Sequence, residues 1–140
     1  MPESDGVRQA LVRFYKAFSS GDPEQMRALI ATEEEAFVVG TDPLQWEMGR
    51  DTWADSYRVQ TEQMPGIAIR VGQRLAGYEN GAVGWAADEP SIVLPDGTPI
   101  PVRITAVFHH EGGEWKIVTA HVSFGVPDAK LEELLPQLLG

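Results

Sequence analysis

The sequence contains no cysteine. That excludes a disulfide framework, a thiolate nucleophile and any sulfur-ligated metal. It has no apolar run approaching the ~20 residues that a membrane-spanning helix needs. Positive charge is scarce: 11 Lys and Arg stand against 21 Asp and Glu, a formal net charge of −10. Nucleic acid and anionic membrane are both polyanions, so this balance points away from both as partners. Only three histidines are present. His109 and His110 are adjacent on an expected strand and point to opposite faces, so they cannot chelate one ion. There is no metal-ligand spacing, phosphate-binding loop or nucleophile elbow, and no metal or cofactor is expected. Met1 leads into Pro2-Glu3-Ser4-Asp5, acidic and polar where a signal peptide would be basic and then apolar. A cytoplasmic protein is expected.

What is present suits a globular domain. Of 140 residues, 43% are apolar. One domain over 1–140 is the natural division, with 127–140 as a tail. A chain of this length buries roughly two thirds of the surface its unfolded form exposes, enough for a core and an internal pocket. Ser4 or Asp5 can cap a first helix whose stripe is Val7, Ala10, Leu11, Phe14, Tyr15 and Phe18. Gly21 suits its left-handed cap. Asp22 and Pro23 then open a second, short helix. Phe37-Val38-Val39 reads as a strand. An irregular segment with Trp46 follows, then a third helix from about Arg50 to Met64, ended by Pro65-Gly66.

From Ile67 the pattern alternates with period two. Asn80-Gly81 is a strong hairpin signal. Taken as a two-residue turn, it sets Leu75 opposite Ala86 and Gln73 opposite Asp88, with Asp88 on the apolar face. Val102 to His110 reads as a long strand, turned at Gly112-Gly113 into a last one, Trp115 to Gly125. That last strand is rich in β-branched and aromatic residues, yet it carries His121 and Ser123 on one face. A two-residue Gly-Gly turn pairs His121 with Ile104 and places it with Val102, Ala106, Phe108, Ile117, Thr119 and Ser123, a face suited to a pocket wall. A bulged turn would swap the two faces. The tail is amphipathic, with Leu131, Leu134, Leu135 and Leu138 expected to dock on the sheet or on a partner subunit. Helices first and a meander of strands after them give an α+β fold, with helices packed on one face of a curved antiparallel sheet.

Several segments in this order resemble a known superfamily. Arg13-Phe-Tyr-Lys-Ala-Phe-Ser-Ser-Gly21-Asp22, Gly49-Arg-Asp-Thr-Trp53, Trp115-Lys-Ile-Val and His121-Val-Ser123 are similar to the nuclear transport factor 2-like superfamily, in its SnoaL-like branch, which also resembles ketosteroid isomerases. The resemblance implies a cone-shaped α+β barrel around an apolar pocket, and a homodimer through the outer sheet face. It implies no single function, because this fold carries isomerases, cyclases, dehydratases and non-catalytic binders.

The resemblance places Asp42-Pro43 where ketosteroid isomerases keep a general base. As plain sequence, Thr-Asp-Pro is a turn that Asp42 caps. The isomerase oxyanion hole needs a tyrosine and a protonated acid. Phe14 and Thr105 fall at those positions, which argues against steroid isomerisation, although Tyr15 lies one step round the helix. Asp88 and His121 could form an acid–base dyad or an ordinary structural hydrogen bond. Tyr15, Trp46, Trp53, Tyr57, Phe108 and Ser123 complete the expected ligand-contacting set, with Trp53 and Tyr57 equally readable as core. Trp85 is expected on the outer face, in a dimer interface. Two functions remain open. One is proton-transfer chemistry of the isomerase or cyclase type on a small, largely apolar molecule, with Asp42, Asp88 and His121 as acid–base groups. The other is a non-catalytic dimeric binding or scaffold module.

Overall fold

The computed structural model describes residues 3–140. The first helix, α1 (Asp5–Ser20), begins where Ser4 Oγ accepts the Val7 N–H at 3.1 Å and ends at Gly21 in the left-handed conformation, φ 69°. Its stripe of Val7, Ala10, Leu11, Phe14, Tyr15 and Ala17 is buried. Helix α2 (Pro23–Leu29) is capped by Asp22, which accepts from the Glu24 N–H at 3.0 Å. Helix α3 (Arg50–Gln63) buries Trp53, Ala54 and Tyr57. Arg50, at its start, donates to the Arg27 and Ile30 carbonyls and so satisfies the open end of α2.

The strands are β1 (Phe37–Val39), β2 (Trp46–Met48), β3 (Ala68–Arg70), β4 (Ala76–Asn80), β5 (Val83–Asp88), β6 (Ser91–Val93), β7 (Pro99–Pro101), β8 (Arg103–Glu111) and β9 (Glu114–Ser123). They form a six-stranded sheet, β2-β1-β9-β8-β5-β4, and a three-stranded sheet, β3-β6-β7. The fold is α+β as expected, with the helices against a curved sheet, but the sheet is mixed. β1 runs parallel to β9; the two are the first and last strands of the chain and are not joined by a hairpin. The expected long strand from Ile67 is also shorter. Only Ala68–Arg70 pairs, and it pairs with β6 in the smaller sheet.

Two registers differ from the sequence reading. The β4–β5 turn is Gly81-Ala82, so Gly77 lies opposite Ala86 and Tyr78 opposite Trp85. This two-residue slip keeps every side chain on its expected face and lets Tyr78 and Trp85 stack, with centroids 6.1 Å apart. The β8–β9 turn is the expected two-residue one, with Glu111 opposite Glu114. Further along, Val107 pairs with Thr119 and Phe108 with Ile117, leaving Val118 as an extra residue. This bulge flips the second half of β9. Ala120 and Val122 face the core, and His121 faces out beside Thr105.

The last helix, α4 (Leu131–Leu138), follows a short 3-10 turn at Asp128–Lys130. It contacts that turn and buries none of its leucines, so the expected docking onto the sheet does not occur within one chain. Among the described residues no helix is long and apolar enough to cross a membrane.

Candidate functional site

Between the helices and the concave sheet lies a cavity of ≈ 140 Å³. Its apolar wall is built by α1 (Phe14, Tyr15, Phe18), α3 (Trp53, Tyr57) and the inward faces of β8 and β9 (Ile104, Val122). Its polar side comes from Thr41 and Gln45 in the β1–β2 loop, Glu47 on β2, and Ser56 and Gln60 on α3. Ser56 Oγ donates to Glu47 Oε1 at 3.1 Å. Glu47 is the one charged side chain among the residues that line the cavity.

The expected ligand contacts divide. Tyr15, Trp53 and Tyr57 line the cavity. Trp53 sets its edge against Phe14, with centroids 6.3 Å apart. Tyr57 gives its ring to the cavity, while its hydroxyl donates to the Phe18 carbonyl at 2.5 Å and ties α3 to the end of α1. Trp46 is 65% exposed and lies outside, because β2 is an edge strand that turns it to solvent. Phe108 is buried in the core and does not line the cavity. Ser123 pairs with Arg103 at the end of β9, also outside it.

The expected acid–base residues are not brought together. Asp42 is exposed and caps its own turn, Oδ1 accepting the Leu44 N–H at 2.8 Å. Asp88 is buried and faces inward, as the strand alternation requires. Its partner is not His121 but the Tyr15 hydroxyl, which donates to Oδ2 at 3.0 Å. Gly72 N–H donates to the same oxygen at 2.9 Å, and Glu89 N–H donates to Oδ1 at 2.8 Å. Gly72 is required by this close approach, since a β-carbon there would lie 2.6 Å from Asp88 Oδ1. Burial, then the Asp88 charge and hydrogen bond, push the Tyr15 hydroxyl far above its ordinary pKa, so it stays protonated as a donor. His121 stands on the other side of the sheet, in a shallow depression with Tyr78, Trp85, Thr105, Val107 and Thr119. The Val118 bulge therefore separates His121 from Asp88. Thr105 shares the outer face, so it occupies no oxyanion position.

A second titratable cluster lies far down the sheet. Glu33, His109 and Glu111 each offer one ligand atom, and these atoms lie within 4.8 Å of one another. Glu111 is already engaged, accepting from the Thr32 N–H and hydroxyl at 2.9 Å each and from the Glu33 N–H at 3.2 Å. It therefore clasps the α2–β1 connection to the end of β8. Burial raises its carboxyl, but these hydrogen bonds outweigh burial and hold it below the ordinary 4.5. A depressed folded-state pKa contributes stability above pH 4.5 that is lost as pH falls through the folded value. Glu111→Gln is expected to cost about 1–2 kcal/mol at pH 7, by turning an amide toward the Glu33 N–H. It should also flatten the acid limb of stability measured by urea unfolding between pH 5 and 3. An unchanged acid limb would remove Glu111 from that role.

Residues 7–127 match the SnoaL-like domain family. The chain belongs to that family. The SnoaL-like fold is a small-molecule-binding fold, consistent with a cavity on the concave side of the sheet. Among curated proteins none matches the chain. Solved structures of the same fold include a candidate dehydratase of the nuclear transport factor 2-like family from Streptomyces avermitilis. It is 20% identical at TM-score 0.75 and covers 85% of this chain and 93% of its own. A candidate calcium/calmodulin-dependent protein kinase type II association domain from Thiobacillus denitrificans is also 20% identical, at TM-score 0.73, covering 90% and 100%. A nuclear transport factor 2-like superfamily protein from Salmonella enterica serovar Typhimurium is 18% identical at TM-score 0.71, covering 86% and 89%. These similarities establish the SnoaL-like chain's fold. Glu47 escaped the sequence reading because it sits in a segment without periodicity and is one of many acids.

Proposed function

We propose that this protein binds a small, largely apolar organic molecule in the cavity between α1, α3 and the sheet. The observation that carries the reading is the open space of ≈ 140 Å³ itself. Trp46 and Phe108, which could have filled it, point elsewhere. An engineered apolar cavity of about 150 Å³ accepts benzene, which sets the scale of what fits.

Catalysis is the second reading, and one observation favours it. Glu47 is a carboxylate at the edge of an apolar cavity, where proton transfer to or from a bound molecule could take place. The Streptomyces relative is described as a candidate dehydratase, a class of enzyme that moves protons. Asp42, Asp88 and His121 would then stand outside the reacting centre. We read the outer sheet face, with Trp85 and Tyr78, as the contact surface of a homodimer, and the protein as cytoplasmic.

Binding is tested with toluene and 2-phenylethanol as probes. Each is expected to raise the thermal midpoint of the protein in a concentration-dependent way. Gln60→Trp, which places an indole at the polar side of the cavity, should weaken both by at least tenfold without lowering the unliganded midpoint. No shift with either probe on the unaltered protein would remove the reading.

A further inference from the structure

We propose that the ligand carries a cationic head group, a protonated amine, on its small apolar body. This inference rests on the cavity being the binding site. The lining residues supply one negative charge, Glu47, and no Lys, Arg or His. Ser56 engages one of the two carboxylate oxygens, Oε1. Among the described residues no Lys or Arg forms an ion pair with Glu47, although five other acidic side chains pair with Arg8, Arg27 or Arg58. The carboxylate thus stands at the edge of an apolar space without a counter-charge.

Three chemical consequences follow. An anionic ligand would meet no compensating charge and one repelling charge, so carboxylates and phosphates are excluded. A neutral apolar ligand would gain only from contact with the aromatic wall. A primary amine is protonated at neutral pH, as a lysine side chain is. It can set its apolar body against Phe14, Trp53 and Ile104 and leave its ammonium at the half-exposed polar side beside Glu47. There the ammonium keeps part of its hydration, so it avoids the cost of full burial. The hydrogen bond it gives is charge-assisted and stronger than a neutral one. The net charge of −10 adds a negative field that draws cations toward the protein and repels anions.

The test compares three probes of one shape, 2-phenylethylamine, 2-phenylethanol and phenylacetate, by calorimetric titration at pH 7. The amine is expected to bind about tenfold tighter than the alcohol, and phenylacetate not measurably. Glu47→Gln keeps an oxygen for Ser56 and should preserve the fold. It is expected to remove the amine's advantage, lowering the amine's affinity far more than that of the alcohol, whose hydroxyl can also donate to the carboxylate. The amine's advantage should also shrink between about 0.05 and 0.5 M salt. If the alcohol binds and the amine binds no tighter, or if the advantage survives Glu47→Gln, the amine proposal is overturned and the cavity reading stands. If none of the three binds, both fall.

Discussion

Asp88→Ala is expected to cost about 3 kcal/mol or more, the largest stability loss among the polar residues described above. Alanine would leave three donors without their acceptor: the buried Tyr15 hydroxyl and the part-buried Gly72 and Glu89 N–H groups. Each stranded donor costs about 1–3 kcal/mol, and neighbouring losses are not additive. For a chain of this size a 3 kcal/mol loss lowers the thermal midpoint by roughly 10 °C. Tyr15→Phe removes one donor and keeps the ring against the cavity, so it should cost only about 1–2 kcal/mol. Because α1, the 71–75 segment and the end of β5 meet at this carboxylate, the double variant should be less damaged than the two single losses summed. The Tyr15 hydroxyl has a folded-state pKa raised above its ordinary 10.0, so its contribution is intact below pH 10 and falls as pH rises beyond it. Urea unfolding of the four proteins at pH 7, and of the parent from pH 7 to 11, measures all of this. An Asp88→Ala midpoint equal to the parent's would show that the carboxylate ties nothing together.

That role could be foreseen only in part. Alternation along Val83–Asp88 puts Asp88 inward, and burial demands partners. Which partner it finds depends on where α1 crosses the sheet, and that is a tertiary fact. Local signals did well where one residue's own chemistry decides the backbone. Ser4, Gly21, Asp22 and the Gly112-Gly113 turn all act as their side chains, or lack of them, require. They failed where two arrangements satisfy the same side chains. Val118 and Thr119 fit either face of a sheet, so the bulge that reverses His121 leaves no mark in composition. At Asn80-Gly81 two registers keep the same residues inside, and the stacked Tyr78–Trp85 pair accompanies the one adopted. The cavity wall was readable as helix stripes, hence Tyr15, Trp53 and Tyr57. The polar side was not, because Gln45 and Glu47 come from an irregular segment without periodicity, ordered by turn hydrogen bonds and by pairing with β1.

The homodimer proposed above through the outer sheet face is tested by Trp85→Glu. The helices α1, α2 and α3 lie on the concave side, and among the described residues the outer face of β5 stays exposed at Val83 and Trp85. It presents Trp85, 37% exposed, and Val83, 45% exposed, with Tyr78, Val107, Thr105 and His121 around a depression. A face of one sheet meeting its own copy about a two-fold axis uses each feature twice, so an indole on one copy can enter the depression of the other. Each protomer carries −10, so the contact must gain from apolar burial what it loses to repulsion at long range. A glutamate at 85 removes the largest apolar group and adds two like charges at the centre of the contact. Sedimentation at about 10 µM is expected to show a dimer for the parent and a monomer for Trp85→Glu, a weakening of at least a hundredfold. The urea midpoint read on the isolated monomer should fall only slightly below that of a diluted parent, because Trp85 lies outside the core cluster and gives up only its stack on Tyr78. His121, placed on this face by the bulge, would then contact the second copy and not the ligand. A parent that remains monomeric at every concentration would overturn the assembly and leave Trp85 and His121 as solvent-facing residues of a single chain.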